Sequence, residues 1–421
     1  MDELVYTMWL SLSCTQGRET FAKLLGKFST SKEVYAADDA SIAACISSSS
    51  RDYNSLIDKS LSKAERVLEY CKRKNIGIVT YFDDEFPNAL KNIKNPPVLL
   101  YYRGVLPDFN KHLFISIVGA RKLTDYGRKH TFTIANDLAR SGAVIVSGMA
   151  IGIDGVALAG AIEASAQTVA IIGSGIDICY PKEHQTLARE IVKNGCVLTE
   201  YAPGTKPVRF NFPVRNRLIS AISSATLVIE GDERSGSLIT ARHAAEQRKL
   251  VYAFPGNVGN KNSEASNLLI KNGARLFTAA DDIVRDFDLS LPGKLNPFEL
   301  AKTVSVDMFD VLRRLKVSCV AASDDIFKPT FVAKKQNGNS SLQPKDMAQI
   351  PINSEKQIET SFNKSILSLY KKIPIDSECS VESLIDSEHN LKDVMQGLLK
   401  LEIAKFIVML PGDRVKRNIS G

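Results

Sequence analysis

Phe114-Ile115-Ser116-Ile117-Val118, running straight into Gly119-Ala120-Arg121-Lys122-Leu123-Thr124-Asp125-Tyr126-Gly127, is the stretch on which the fold turns. A short, almost wholly apolar, β-branched run makes a strand buried on both faces, and the small residues after it close a tight turn into a helical pattern. The same grammar recurs downstream. Strand-like runs at 143–147, 168–172, 197–200, 227–230 and 251–254 alternate with amphipathic stretches at 127–141, 153–165, 182–193, 214–223 and 237–248. Strands separated by helix-length segments predict a parallel sheet covered by helices, hence a doubly wound α/β domain. Two further strand-like runs, 73–80 and 96–102, flank an Asp/Pro-rich turn and are expected to extend the same sheet.

Working outward, residues 1–60 are helical in pattern, with Trp9, Leu10, Leu12, Phe21, Leu24 and Leu25 at mixed spacings of three and four around a turn marked by Gly17. Between 328 and 363 the chain is rich in Lys, Gln, Asn and Ser and poor in large apolar residues, which reads as a linker. Beyond it, 364–372, 381–387 and 391–402 read as short helices, and 403–409 with 414–417 as a hairpin around Pro411-Gly412-Asp413. Helices followed by a hairpin suggest a winged helix. The expected domains are therefore 1–60 (helical), 61–290 (α/β), 291–362 (connecting segment and linker) and 363–421 (winged helix).

A chain of 421 residues is about three times the ~150 typical of one domain, in keeping with that division. Its 44% hydrophobic and 24% charged residues are ordinary for a globular protein. The net charge of +7 permits a polyanionic partner without demanding one. Seven scattered cysteines with no CxxC pair suggest neither a disulfide framework nor a zinc site and fit a reducing cytoplasm. Met1-Asp2-Glu3-Leu4 does not read as a signal peptide, so no export is expected. The apolar region 143–180 is interrupted by Asp154 and Glu163, so no membrane span is expected there.

Five segments could carry chemistry. The turn Gly119 to Gly127 puts Arg121 and Lys122 at the carboxyl end of a parallel strand, where α/β sheets bind ligands. Backbone N–H groups at a helix start favour phosphate, and arginine holds it bidentately. Ser147-Gly148-Met149-Ala150-Ile151-Gly152-Ile153-Asp154 and Gly173-Ser174-Gly175-Ile176-Asp177 end the next two strands, so three small-residue turns suggest one anionic-ligand groove. Taken singly, each is better explained by close helix–sheet packing. Lys206-Pro207-Val208-Arg209-Phe210-Asn211-Phe212-Pro213-Val214-Arg215-Asn216-Arg217 interleaves four cations with two phenylalanines, the pairing wanted by phosphates and unstacked bases. Core plugs and surface charge are the alternative. Ser235-Gly236-Ser237 opens another helix, where a serine caps and free N–H groups suit a phosphate.

Catalytic patterns are scarce. No GxGxxG with a following acid, GxxxxGK[ST], HExxH or GxSxG occurs, which disfavours NAD chemistry and P-loop ATP hydrolysis. Asp154 and Asp177 could act as acids or bases, but capping a helix is the expectation for both. Binding without a catalytic residue, cofactor or metal is the reading.

The motifs Ile117-Val118-Gly119-Ala120-Arg121, Ser147 to Asp154, Tyr180-Pro181, Phe212-Pro213-Val214-Arg215-Asn216-Arg217 and Glu233 to Ala241, in this order, resemble the DNA-processing protein A family, DprA or Smf. The resemblance spans residues 76–287. It implies an extended Rossmann-like domain that binds single-stranded DNA, forms homodimers, protects incoming strands during natural transformation and helps load RecA recombinase, without being an enzyme. Carried over residue by residue, Gly119 and Arg121 match the first phosphate-binding loop and Ser147 and Gly148 the second. Arg209, Phe212, Asn216 and Arg217 match the basic-aromatic segment, and Ser235, Gly236 and Ser237 the last loop. This chain has Ile151 where many members have Arg, Leu158 near a common His, and Ala265 where glycine is common, within a retained Asn267 to Ala274 pattern. The N-terminus is similar to a helix-hairpin-helix or SAM-like module but keeps one hairpin glycine, Gly17. The helix expected at 391–402 balances Lys392 and Lys400 against Asp393 and Glu402, which suits protein contact or dimer support better than duplex reading. A different class, a small-nucleotide-binding Rossmann-like enzyme or sensor, would also use glycine-lined strand ends, although its Pro-Gly-Gly-x-Gly-Thr-type motif is absent.

Overall fold

The computed structural model describes residues 3–291, 293–296, 306–321, 364–374, 377, 379–386, 394, 398, 401, 407–410 and 414–417. The chain divides into two compact units, Met1–Pro329 and Thr330–Gly421. In the first, ten strands precede residue 280: β1 (Gly77–Thr80), β2 (Leu99–Gly104), β3 (Phe114–Val118), β4 (Lys122–Leu123), β5 (Val144–Ser147), β6 (Thr168–Ile171), β7 (Cys196–Thr199), β8 (Ala225–Val228), β9 (Leu250–Ala253) and β10 (Arg275–Leu276). All but β4 join one nine-stranded sheet in the order β1-β2-β7-β6-β5-β3-β8-β9-β10. The seven strands from β7 to β10 run parallel, and β1 and β2 add antiparallel at the β7 edge. Strands β3, β5, β6, β7 and β8 are buried along their whole length, as their unbroken apolar runs require.

The crossover helices are Asp125–Arg140, Ile153–Glu163, Gln185–Asn194, Asn211–Ile222 and Gly236–Glu246. The fourth begins three residues before the expected 214, because Pro213 in a first turn forfeits only an N–H that has no helical partner there. From β3 the chain winds outward through β5, β6 and β7, then returns to lay β8 and β9 on the other flank of β3. This reversal puts the topological switch point between β3 and β8, and the carboxyl ends of such strands are where a doubly wound sheet receives ligands.

The N-terminal region folds as the helices Glu3–Ser13, Thr20–Leu25, Ser31–Ala36, Asp39–Ala43, Arg51–Ile57 and Ser62–Arg73. Side-chain oxygens of Thr30, Asp38 and Ser50 cap the third, fourth and fifth of these. Gly17 has φ +77° and a Cβ there would lie 2.6 Å from Val214, while its carbonyl accepts a hydrogen bond from Asn95 Nδ2 at 2.7 Å. The hairpin turn is thus packed onto the α/β domain.

In the second unit, helix Lys364–Lys372 precedes a three-stranded antiparallel sheet in which Arg414–Arg417 lies between Cys379–Ser380 and Ile407–Leu410. The hairpin expected from the sequence is present, with Ile407 opposite Arg417. The helix expected at 381–387 is instead a 3-10 turn, Glu382–Leu384, after a strand. Ser383 bonds back to Ser380 with both its N–H, at 3.3 Å, and its hydroxyl, at 2.6 Å, and such local bonds compete with a helix. Leu369, Ile373, Leu384, Val394, Leu398 and Val415 belong to its core. The expected linker at 328–363, the turn 411–413 and most of the helix expected at 391–402 lie outside the described residues. Among the described residues no helix is long and apolar enough to cross a membrane, and no acid, histidine or cysteine cluster could hold a metal.

Candidate nucleic-acid interface

The site is built from the loops that leave β3, β5, β6 and β8 and from the start of helix Asn211–Ile222. Gly148 lies between two buried charges: a Cβ there would sit 2.6 Å from both Arg215 Nη2 and Asp154 Oδ2. The Asp154 carboxylate accepts from the N–H groups of Gly148 at 3.1 Å and Ala150 at 3.4 Å. Arg215 Nη1 donates to the carbonyl of Gly148 at 2.9 Å and to that of Ile171. One arginine thus ties the ends of β5 and β6 to the helix that carries the basic segment. Burial raises the Asp154 carboxyl above the usual carboxylate range, and the nearby Arg215 opposes that rise. Burial lowers Arg215 to about 10, so it remains a cation at neutral pH.

Phe212 is half-buried. Its ring stands 5.9 Å from the guanidinium carbons of both Arg121 and Arg215 and 5.4 Å from the Tyr180 ring. It covers Gly173, where a Cβ would come within 3.1 Å of it, and Asn211 Nδ2 donates to the Gly173 carbonyl at 2.9 Å. Arg121 is exposed, with no ion pair among the described residues. Arg209 is likewise exposed and unpaired there, and beside it Phe210 is 83% exposed, the most open large aromatic among the described residues.

Glu230, at the end of β8, is buried and accepts from Thr124 N–H at 3.0 Å, from the Thr124 hydroxyl and from Asn262 Nδ2 at 3.3 Å. Asn262 also donates to the Lys122 carbonyl at 2.8 Å, so the turn after β3 is held from two sides. Gly119 has Ile153 and the Glu230 carbonyl against it. At the last loop, Ser235 Oγ caps helix Gly236–Glu246 by accepting from Ser237 N–H at 3.3 Å, and Asn216 Nδ2 reaches the Gly236 carbonyl at 3.4 Å.

Of the residues singled out from the sequence, Gly119, Arg121, Gly148, Phe212, Asn216, Ser235, Gly236 and Ser237 therefore lie along one connected wall. Ser147 lies there too, but it is fully buried and its hydroxyl donates to the Ile117 carbonyl at 2.6 Å. Arg217 departs from the wall. It is 3% exposed and forms a two-pronged pair with Glu200, both contacts 2.7 Å. With Glu200 it lines a small cavity shared with Cys14, Gly17, Phe21 and Pro96. Neither aspartate caps a helix in the expected way. Asp154 holds the loop before its own helix, and Asp177 accepts from Tyr70 OH at 3.1 Å and Gly204 N–H at 2.8 Å, bracing two other segments.

Sequence reasoning passes over Arg215 as a structural tie, Glu230 as a clamp and Phe210 as the open ring. The neighbouring motif offers one usable signal for Phe210: Pro207 and Pro213 bracket a segment too short to fold its own core.

The profile of the DNA recombination-mediator protein A family matches residues 77–288. The chain is 37% identical over 230 residues to the DNA processing protein DprA of Bacillus subtilis, covering 55% of this chain and 77% of that protein. Among solved structures, DNA processing protein A of Streptococcus pneumoniae superposes with a TM-score of 0.59 at 30% identity, covering 68% of this chain and 98% of that one. DNA processing protein A of Helicobacter pylori, whose structure concerns its single-stranded DNA binding mode, matches at 30% identity and a TM-score of 0.47, over 51% of this chain and 96% of that one.

Proposed function

Because this chain belongs to the DNA recombination-mediator protein A family, we propose that its strand-end groove holds single-stranded DNA and hands it to a recombinase. The observation that carries the reading is the set of open groups, the lip: Arg121, whose guanidinium carbon stands 5.9 Å from the Phe212 ring, and Arg209, next in sequence to the exposed Phe210, both arginines exposed and without ion-pair partners among the described residues. Unpaired guanidinium groups take phosphates, and an open ring takes the face of an unpaired base, a surface that duplex DNA keeps stacked. The wall behind the lip, Gly119, Ser147, Gly148, Phe212, Asn216, Ser235, Gly236 and Ser237, shapes the track, and two helix starts, at Asn211 and Gly236, turn N–H groups toward it. Arg217 enters this reading as a strut.

Binding rather than catalysis is the action. The buried acids near the groove, Asp154, Glu200 and Glu230, are all engaged by protein donors. The fuller assignment is a cytoplasmic homodimer that protects incoming strands during transformation and loads RecA. Its second unit is a winged helix used for protein contact, as the paired strands Ile407–Leu410 and Arg414–Arg417 and the charge balance of 391–402 suggest. Titration of labelled oligo-dT and matched duplex across a salt series, followed by anisotropy, tests the groove. Strong single-strand preference with a steep salt slope is expected. Equal affinity for both, or displacement of the oligonucleotide by a free mononucleotide at comparable concentration, would turn the reading to a small-nucleotide pocket.

A further inference from the structure

After the sheet is complete, the segment 306–321 returns across the strand ends. Its helix, Met308–Arg314, is seated by the buried side chains of Val311, Leu312 and Leu315 and by an Arg314–Glu163 ion pair. Residues 317–321 then make polar bonds to the loops around the groove. Gly152 N–H donates to the Ser318 carbonyl at 3.1 Å, and Ser318 N–H donates to His184 Nε2 at 2.9 Å. His184 is fully buried, and its Nδ1 lies 3.0 Å from the Met149 carbonyl. Since Nε2 accepts, the ring proton sits on Nδ1 and the ring bridges strap and loop as a neutral group. A further strand, β11 (Val320–Ala321), then pairs in parallel with β4, Val320 opposite Lys122 and Ala321 opposite Leu123.

These bonds converge on one short piece of backbone. Ile153 N–H donates to the Ala120 carbonyl at 3.1 Å. Gly152, at φ +91°, approaches so closely that a Cβ would lie 2.6 Å from the Arg121 carbonyl oxygen. Residues 120–123 are thus held between the turn after β5 and the strap. The β4–β11 ladder stands apart from the nine-stranded sheet, so it serves the loop rather than the main core.

We propose that the strap 317–321 is a positioning element for Arg121. It fixes the backbone from which that side chain leaves, so that less freedom is lost when the guanidinium meets a phosphate. The strap sets part of the affinity for single-stranded DNA without touching it, an inference that rests on the groove being the DNA site.

Ser318→Pro removes the N–H that His184 receives, His184→Leu removes the same bond from the other side, and His184→Gln restores an acceptor and a donor. Each is titrated with labelled oligo-dT across a salt series, alone and in an Arg121→Ala background, with thermal melts and amide exchange of residues 119–124 in the free protein. Ser318→Pro and His184→Leu are expected to weaken binding by roughly threefold to tenfold. They should lower the salt slope toward that of Arg121→Ala, speed exchange at 119–124 and cost nothing further once Arg121 is gone. His184→Gln should recover most of the loss. If Ser318→Pro does not fold, the His184 pair carries the comparison. Losses that add fully to that of Arg121→Ala, or unchanged affinity despite faster exchange, overturn the positioning role. A wild-type chain that ignores oligo-dT overturns the groove reading itself, and the two failures are told apart by that control.

Discussion

Four arginines serve the groove, and they fall into two kinds. Arg215 and Arg217 project from one helix, are buried, and give their donors to Gly148, Ile171 and Glu200. Arg121 and Arg209 leave loops, are exposed, and have no ion-pair partner among the described residues. The first pair holds strand ends and helix in register, and the second presents charge to solvent. The difference teaches that a basic motif in sequence counts two quantities at once, the cations that build a frame and those that face a ligand, and only burial separates them. The two phenylalanines divide the same way, Phe212 within the frame and Phe210 at the lip.

The sharpest break of this comparison is Arg217→Ala, which strands Glu200 as an uncompensated buried carboxylate. It is expected to cost about 3–5 kcal/mol of folding stability in urea melts. A double change, Arg217→Met with Glu200→Leu, should recover most of that, since the pair rather than either charge is what the site tolerates. If Arg217→Ala instead left stability intact and cut the salt slope of DNA binding, Arg217 would belong to the lip. Next in size, Phe210→Ala should remove about 1–3 kcal/mol of single-strand affinity by anisotropy titration while leaving both stability and salt slope in place.

Arg121→Ala and Arg209→Ala should each lower the salt slope by about one, with stability changed by less than about 0.5 kcal/mol. Unchanged affinity in the double variant would remove both from the interface. The smallest effect separates frame and lip by pH. Burial holds His184, and to the same sign His130, below the ordinary histidine range. The folded chain then binds fewer protons than the unfolded one as pH falls below about 6.5, so stability present above that pH is lost on acidification, by at most about 1.4 kcal/mol per unit for each group. Melting temperatures between pH 7 and 5 should fall less steeply in His184→Gln, while the lip arginines stay charged throughout.

Much of this is legible along the chain. The six runs from 114 to 254 appear as strands within two residues of their expected bounds, because a strand buried on both faces leaves an unbroken apolar signature. The wall residues Gly119, Gly148 and Ser235 are legible for a similar reason: a tight strand-to-helix turn restricts residue type locally. Three things are not. The helix expected at 381–387 loses to a serine turn one bond away. Asp154 and Asp177 read as caps, whereas Asp154 turns back to the N–H groups of the loop before its helix and Asp177 meets Tyr70, more than a hundred positions away, and Gly204, nearly thirty away, which a one-dimensional pattern does not show. Arg217 reads beside Asn216 as a groove residue, although Glu200, seventeen positions earlier, takes its charge.

By itself, then, the amino-acid sequence determined the alternation of buried strands and amphipathic helices, the glycine-lined turns at their carboxyl ends and the family of which they are typical, all of which depend on neighbours a few residues apart. Tertiary structure alone decided which cations are struts and which are free, which ring is open, and that residues 317–321 lie across the Arg121 loop. Those outcomes depend on desolvation and on partners tens to hundreds of positions away, and the free energy of a charge is set by what surrounds it in space.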